Sequence, residues 1–188
     1  MPELPYEIWK DRINNEINIL RKSNLIEHNS INWRENDVEF WINIEALGFV
    51  QDHNKEGVKL IPKKFHRVNL KLNRSFPYPG GIDFSWYSNI FHPNIHPVDI
   101  QDLNVSGTGF ICLNILKKWS RLSDLETTIK ALKNLVENPN ADDPLIYDPC
   151  LKAAEYFKKH SIESLKEEYK SSDKKDKDET DDILIIDE

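Results

Sequence analysis

From Val38 to Ile44 every second side chain is aliphatic or phenylalanine, with Val38, Phe40, Ile42 and Ile44 set against Glu39, Trp41, Asn43 and Glu45. Successive side chains of a strand point to opposite faces, so this run demands a sheet with one face buried and one toward solvent. Such a sheet needs neighbouring strands and a cover. Val68, Leu70 and Leu72 repeat the alternation against Asn69 and Lys71, Val58 and Leu60 follow a polar loop around Asp52–Gly57, and Ile82, Phe84 and Trp86 follow the turn-rich Phe76-Pro77-Tyr78-Pro79-Gly80-Gly81. Four strands, over 38–45, 58–60, 68–72 and 82–86, are therefore expected in an antiparallel meander.

Helices supply the cover. Trp9, Ile13, Ile17 and Leu20 recur at helical spacing and line one face of an amphipathic helix from after Pro5 to about Lys22. Ser123-Asp124-Leu125-Glu126 offers a capping box, in which Ser123 and Glu126 each satisfy an unpaired backbone N–H. The helix that follows buries Ile129, Leu132 and Val136 and stops at Asn138-Pro139, because proline disfavours helical geometry in the residue before it. Asp148-Pro149 starts another, with a capping carboxylate and proline at the first helical position, and Ala154, Phe157, Leu165 and Tyr169 extend its apolar face. Between sheet and helices, residues 88–122 carry proline, glycine, histidine and asparagine with no sustained period; an irregular segment of that length usually has a function.

The chain of 188 residues can build one core without disulfides or metals. Its two cysteines, Cys112 and Cys150, form neither a disulfide framework nor paired metal-ligand motifs, so no metal is expected. No apolar run approaches the roughly 20 residues a bilayer requires, and Met1-Pro2-Glu3 lacks the character of a signal peptide, so no membrane association and a cytoplasmic or nuclear location are expected. The formal charge is -7, of which Ser171–Glu188 carries -5. The remainder is nearly neutral, which argues against nucleic acid as a partner. Residues 1–170 are read as one domain and 171–188 as an acidic tail ending in an aliphatic motif.

The irregular segment contains His92-Pro93-Asn94-Ile95, then Gly109-Phe110-Ile111-Cys112-Leu113-Asn114-Ile115-Leu116, then Trp119-Ser120. Together with Phe76-Pro77-Tyr78-Pro79 upstream and Pro139-Asn140-Ala141-Asp142-Asp143-Pro144-Leu145 downstream, these motifs resemble, in order, those of the ubiquitin-conjugating (E2) enzymes. The resemblance covers roughly residues 4–168. It implies an α+β, UBC-like fold: an N-terminal helix, a four-stranded antiparallel meander, an active-site loop and C-terminal helices.

On its own, Cys112 between Ile111 and Leu113 would read as a small buried hydrophobe. The resemblance makes it the nucleophile, a thiol that carries an acyl group as a thioester and releases it to an amine or another thiol. Negative charge grows on the carbonyl oxygen during that transfer and a carboxamide can stabilise it, which makes Asn94 a catalytic candidate beside a loop-holding role. Asp143 matches the family acid that orients and helps deprotonate an incoming lysine. His92 and Pro93 are expected to hold the loop, not to exchange protons, and Cys150 is assigned only a packing role. Tyr78, Arg121 and Leu122 fall where E2 enzymes meet RING-type ligases. Arg121 stands at a common proline position, and Gly80-Gly81 replace a usual proline pair.

Two features depart further. His92 and Cys112 are twenty positions apart. That is about ten more than is usual in the family, an insertion over 96–105 of a kind that costs little stability. Its Asp99 and Asp102 would make an acidic lip, and its length could draw Asn94 away from the reacting carbonyl. The tail ends in Ile183, Leu184, Ile185 and Ile186 between acids, which resembles a SUMO-interacting motif able to add a strand to a ubiquitin-like fold; docking on the chain's own sheet is the alternative.

The resemblance thus implies an E2 that takes ubiquitin or a ubiquitin-like modifier from an activating enzyme and passes it to a lysine or a ligase. It would need no cofactor of its own, ATP being used by the activating enzyme. An inactive E2-fold module that binds modifiers or ligases is the alternative, and a hydrolase pairing Cys112 with a histidine such as His160 is a third reading.

Overall fold

A computed structural model describes residues 3–52, 57–100, 105–112 and 124–170. Helix α1 (Tyr6–Lys22) begins after Pro5, whose extended backbone and lone carbonyl accept the first helical bond, from the Trp9 N–H at 2.9 Å. Its apolar stripe buries Trp9, Ile13, Ile17 and Leu20 as the spacing requires. Glu16 is buried with them because both carboxylate oxygens are used: one accepts from Arg12 at 2.7 Å, the other from the Leu125 N–H at 3.0 Å.

Strands β1 (Asn32–Trp33), β2 (Asp37–Asp52), β3 (Lys59–Asn73) and β4 (Ile82–Trp86) form one antiparallel sheet in the order β1-β2-β3-β4. The expected meander exists, but its four strands are differently composed. The runs at 58–60 and 68–72 belong to one long strand, β3, which pairs with β2 along its whole length. Val58 stays outside it, and the two-residue β1 supplies the fourth strand. The physical reason is burial: Ile61 and Phe65 of β3 are exposed, so the middle of that strand shows no alternation to detect. A bulge between Glu45 and Gly48 bends the β2–β3 ribbon. Gly48 sits close against the core there: a Cβ would stand about 3.1 Å from the side chains of both Ile90 and Val136, which would have to give by a few tenths of an ångström.

Helix α2 (Leu125–Glu137) packs on β2 and buries Leu125, Thr128, Ile129, Leu132 and Val136. The expected capping box is not what starts it. Asp124 is the cap, its carboxylate accepting from the Thr127 N–H at 2.6 Å, while the Leu125 N–H goes to Glu16. Ser123 lies outside the described residues. Helix α3 (Asp148–Lys159) begins one residue earlier than expected: Tyr147 is its N-cap and makes no side-chain cap, so Asp148 acts from within the first turn, where a carboxylate favours the positive end of the dipole. It ends at His160. Leu165 and Tyr169 belong to a separate helix, α4, over 162–170. The core lies between the inward face of the sheet and the helices, with Phe40, Ile42, Leu70, Leu72 and Trp86 fully buried. Among the described residues no helix is long and apolar enough to cross a membrane, and no group of acidic, histidine and cysteine residues could hold a metal ion.

Candidate active site

Beyond β4 the chain builds a narrow, three-part platform. Its middle strip is Pro93–His96. On one side Phe110–Cys112 pairs with it as an antiparallel bridge between Ile95 and Ile111, closed by His96 N–H to Phe110 carbonyl and Cys112 N–H to Asn94 carbonyl, both 2.8 Å. On the other side the loop that enters α3 is joined by the Leu145 N–H to the Pro93 carbonyl at 2.9 Å. Along the Phe110–Cys112 strip burial alternates: Ile111 is buried, Phe110 is exposed and Cys112 half-exposed. Alternate residues of an extended strand share a face, so the Cys112 thiol and the Phe110 ring lie on the same outward face.

His92 anchors the strip from below. Its Nε2–H donates to the Leu135 carbonyl of α2 at 2.9 Å and its Nδ1 accepts from the Asn94 N–H at 3.0 Å. Burial pushes its pKa down to about 4, so the ring is neutral, and both nitrogens are already engaged. Asn94 is also buried. Its Nδ2 donates to the carbonyls of Asn140 (3.0 Å) and Asp143 (2.8 Å), and its Oδ1 accepts from the Asn140 N–H (2.8 Å). Both amide protons are committed, and the bonded groups belong to the distant 140–143 loop, not to the residue's own backbone. The Asp143 carboxylate is exposed while its carbonyl is held by Asn94.

The two thiols are sharply different. Cys150, in the first turn of α3, is buried against the platform with its S–H toward the Ile95 carbonyl at 3.5 Å, and burial pushes its pKa up to about 12. It is a packing residue despite its place at a helix start. Cys112 reaches solvent. His160 caps the opposite end of α3, roughly 15 Å along the helix axis from Cys150. It stacks on Tyr156 with ring centres 4.3 Å apart.

The stretch expected to be inserted contains a pair of short strands. Strands β5 (Asp99–Ile100) and β6 (Val105–Ser106) pair antiparallel, and the neck is tied by Val98 N–H to Trp86 carbonyl and Gly107 N–H to Val98 carbonyl, both 2.7 Å. Glycine at 107 and 109 follows from crowding. A Cβ on Gly107 would run into the Pro97 carbonyl oxygen, and Gly109 takes a positive φ of 73°. Asn94, beside this neck, keeps its three bonds to the 140–143 loop. The Asp102 half of the expected acidic lip lies outside the described residues, as do Arg121, Leu122, the Trp119-Ser120 pair and the tail residues Ile183, Leu184, Ile185 and Ile186. Tyr78 is half-buried in the turn before β4, where its carbonyl accepts from the Gly81 N–H at 3.0 Å.

Several positioning residues carried little sequence signal. Asn140 supplies both backbone groups to Asn94, and its side chain accepts from the Asp142 N–H, an Asx turn that Pro139-Asn140 could have suggested. His96, buried at the hairpin neck, accepts from Thr108 through Nδ1 (3.0 Å to its hydroxyl, 3.2 Å to its N–H) and stacks on Tyr147 with ring centres 4.1 Å apart. Nothing in the spacing of these residues announces that contact.

Comparison with known proteins bears on all of this. A family profile described as ubiquitin-conjugating enzyme matches residues 60–171, more than half of the chain. The ubiquitin-conjugating enzyme E2 N of Drosophila melanogaster is 30% identical over 125 residues, covering 58% of this chain and 78% of that protein. The ubiquitin-conjugating enzyme E2-20 kDa of Schizosaccharomyces pombe is 35% identical over 104 residues, 54% of this chain and 53% of its own. Among solved structures, the E2 domain of a Toxoplasma gondii ubiquitin-conjugating enzyme superposes with a TM-score of 0.52 at 16% identity, covering 82% of this chain and 92% of that one, a likeness of fold. The matched stretch runs from β3 through the platform to the end of α4, and on that extent the chain belongs to the ubiquitin-conjugating enzyme family.

Proposed function

We propose that the protein is an active E2 transferase in which Cys112 carries ubiquitin or a ubiquitin-like modifier as a thioester. The observation that carries this reading is the contrast between the thiols: one half-exposed on the outward face of the platform, the other sealed beneath it. In the transfer step a lysine amine attacks the thioester carbonyl carbon. A C–N bond forms, the C–S bond breaks, Cys112 leaves as thiolate, and the amine's proton passes to a base, for which the exposed Asp143 carboxylate is the candidate. Asn94 serves as a positioning residue, holding the 140–143 loop and with it Asp143. To donate to the oxyanion it would have to exchange one of its two carbonyl partners.

The partners proposed with this reading are an activating enzyme, which uses the ATP, and a RING-type ligase meeting Tyr78, Arg121 and Leu122; Ile183–Ile186 would engage a ubiquitin-like protein. The protein needs no cofactor of its own, and it is placed in the cytoplasm or nucleus. Incubation with an activating enzyme, ATP and ubiquitin, or in turn each ubiquitin-like protein with its own activating enzyme, is expected to give an adduct that thiol reductant removes. Cys112→Ala should form none, and Cys112→Lys a reductant-resistant one. If no modifier forms an adduct, the chain is an inactive E2-fold module.

A further inference from the structure

Two cavities meet at Val58 and Tyr156, which line both. The first, about 690 Å³, follows α3 from Pro149 to His160 and takes its apolar surface from Phe91 and Tyr156. At 1.5 Å per residue that side of it is roughly 17 Å long. The second, about 410 Å³, lies between β3 and α4 and is lined by Phe49, Leu60, Pro62, Leu165 and Tyr169. Together they make one groove. Leu60, Pro62, Tyr156, Leu165 and Tyr169 are only half-buried in it, and Val58 is exposed at 41%. Contiguous apolar surface open to water costs free energy, which a docked apolar segment recovers.

The end of the groove identifies that segment. Tyr169 lines its second part, Lys64 of β3 stands over the Tyr169 ring at 5.2 Å, and Lys170 is the next residue. The tail, 171–188, therefore starts from the rim of the groove. Its residues Ser171–Asp182 are all polar; its apolar residues are Ile183, Leu184, Ile185 and Ile186, bracketed by Asp181, Asp182, Asp187 and Glu188. Four extended residues span about 13 Å, which the α3 side of the groove accommodates. The rim on that side carries Lys152 and Lys159, which make no ion pair among the described residues, against the single carboxylate of Glu155. An apolar trough with a basic rim complements an aliphatic run between acids.

We infer that Ile183–Ile186 dock in this groove, with the flanking acids toward Lys152 and Lys159. Fully extended, the twelve residues Ser171–Asp182 reach up to about 40 Å, enough for either part of the groove. A tether of that length sets an effective concentration on the order of 1 mM, so a contact too weak to hold two separate molecules together is still populated. The same four residues are those proposed above to engage a ubiquitin-like protein. One segment cannot occupy both places, so the groove competes with that partner for the tail. The docking does not rest on the role of Cys112.

The test uses the full chain with Cys112→Ala, in which Cys150 stays buried, and with Asp187→Cys as the attachment point for a nitroxide. Amide signals are compared by NMR with the nitroxide oxidised and reduced, because broadening marks the residues that the tail end visits. The signals of Val58, Leu60, Leu165 and Tyr169 are expected to fall to about half or less, while α1, which lines no part of the groove, keeps its signals. Ile183→Asp with Ile185→Asp, which alters no residue of the groove, should abolish the broadening. Val58→Asp, at the junction of the two cavities, should do the same with the core signals of β2 unmoved. The same broadening in either variant would overturn the inference, as would broadening spread evenly over the surface or confined to another face. So would equal broadening of an isotope-labelled chain by the nitroxide of an unlabelled one, since the occupant would then be a second copy. Signals that stay unchanged throughout would also overturn it, leaving the groove to a separate partner. The Cys112→Ala chain cannot load a modifier, so none of these outcomes bears on the proposed function.

Discussion

Asn94 shows how one side chain can join parts of a chain that are far apart in sequence. Its carboxamide makes three bonds to a loop more than forty residues away, and its own N–H goes to His92, which in turn holds the Leu135 carbonyl. Replacing it with alanine leaves an N–H and two carbonyls short of partners in a part-buried place, an expected loss of about 3 kcal/mol measurable by urea unfolding. Asn94→Asp removes both donors while keeping the shape, and sets a carboxylate against two carbonyls. For both variants thioester formation should persist while discharge to free lysine falls, because the loop carrying Asp143 loses its tether. Discharge at the wild-type rate from a loaded Asn94→Ala protein would sink the positioning role. What the sequence could supply here was the residue type within an HPN tripeptide. Its bonds depend on where the chain returns after α2.

At the scale of elements, β5 and β6 form a two-stranded sheet of their own beside the main one. Loop length is tolerated because closure entropy grows only slowly with residues added, provided the ends meet where a shorter loop's would. Here they meet through the Trp86, Val98, Gly107 and Gly109 backbone. Gly107→Ala would force a methyl group into the Pro97 carbonyl and is expected to cost about 2 kcal/mol locally. In hydrogen exchange, residues 96–110 should lose protection while the centres of β2 and β3 keep theirs. Unchanged protection at the neck would mean that it is not the crowded joint described above. The periodic elements, α1, the buried half of β2 and α2, were legible in the sequence because one face of each is apolar and the other polar. The middle of β3 was not, since a strand segment exposed on both sides has no pattern to display, and β1 is too short to have one.

Over the whole molecule, two buried histidines couple stability to pH. His66, whose ring bonds the Ala46 carbonyl at the bulge, and His92 are both held at about 4 by burial, against an ordinary 6.5. Above 6.5 neither is charged in the folded or unfolded chain, and they contribute no pH dependence. As pH falls from 6.5 toward 4 the unfolded chain takes up protons that the folded one refuses, so stability declines across that window. Below about 4 the folded protein protonates too and the decline from these groups ends. Urea midpoints at about pH 7.5 and about pH 5 should differ by on the order of a few kcal/mol in unfolding free energy, and His92→Gln, which preserves a donor, should lessen the difference. Identical pH dependence in that variant would remove His92 from the account.

The amino-acid sequence by itself determined the amphipathic elements, the antiparallel sheet with one buried face and, through the spaced HPN, Cys112 and Asp143 motifs, the family to which the chain belongs. These are properties of order along the chain: periodicity follows from backbone geometry, and a motif is a set of residue types at set separations. The tertiary structure alone decided which thiol is sealed and which is open, that Glu16 of α1 closes the start of α2, that Asp99–Ile100 and Val105–Ser106 pair, and that Asn94 is bonded to the 140–143 loop. Each of these depends on distances between segments remote in sequence, and such distances exist only once the core has packed and brought the segments together.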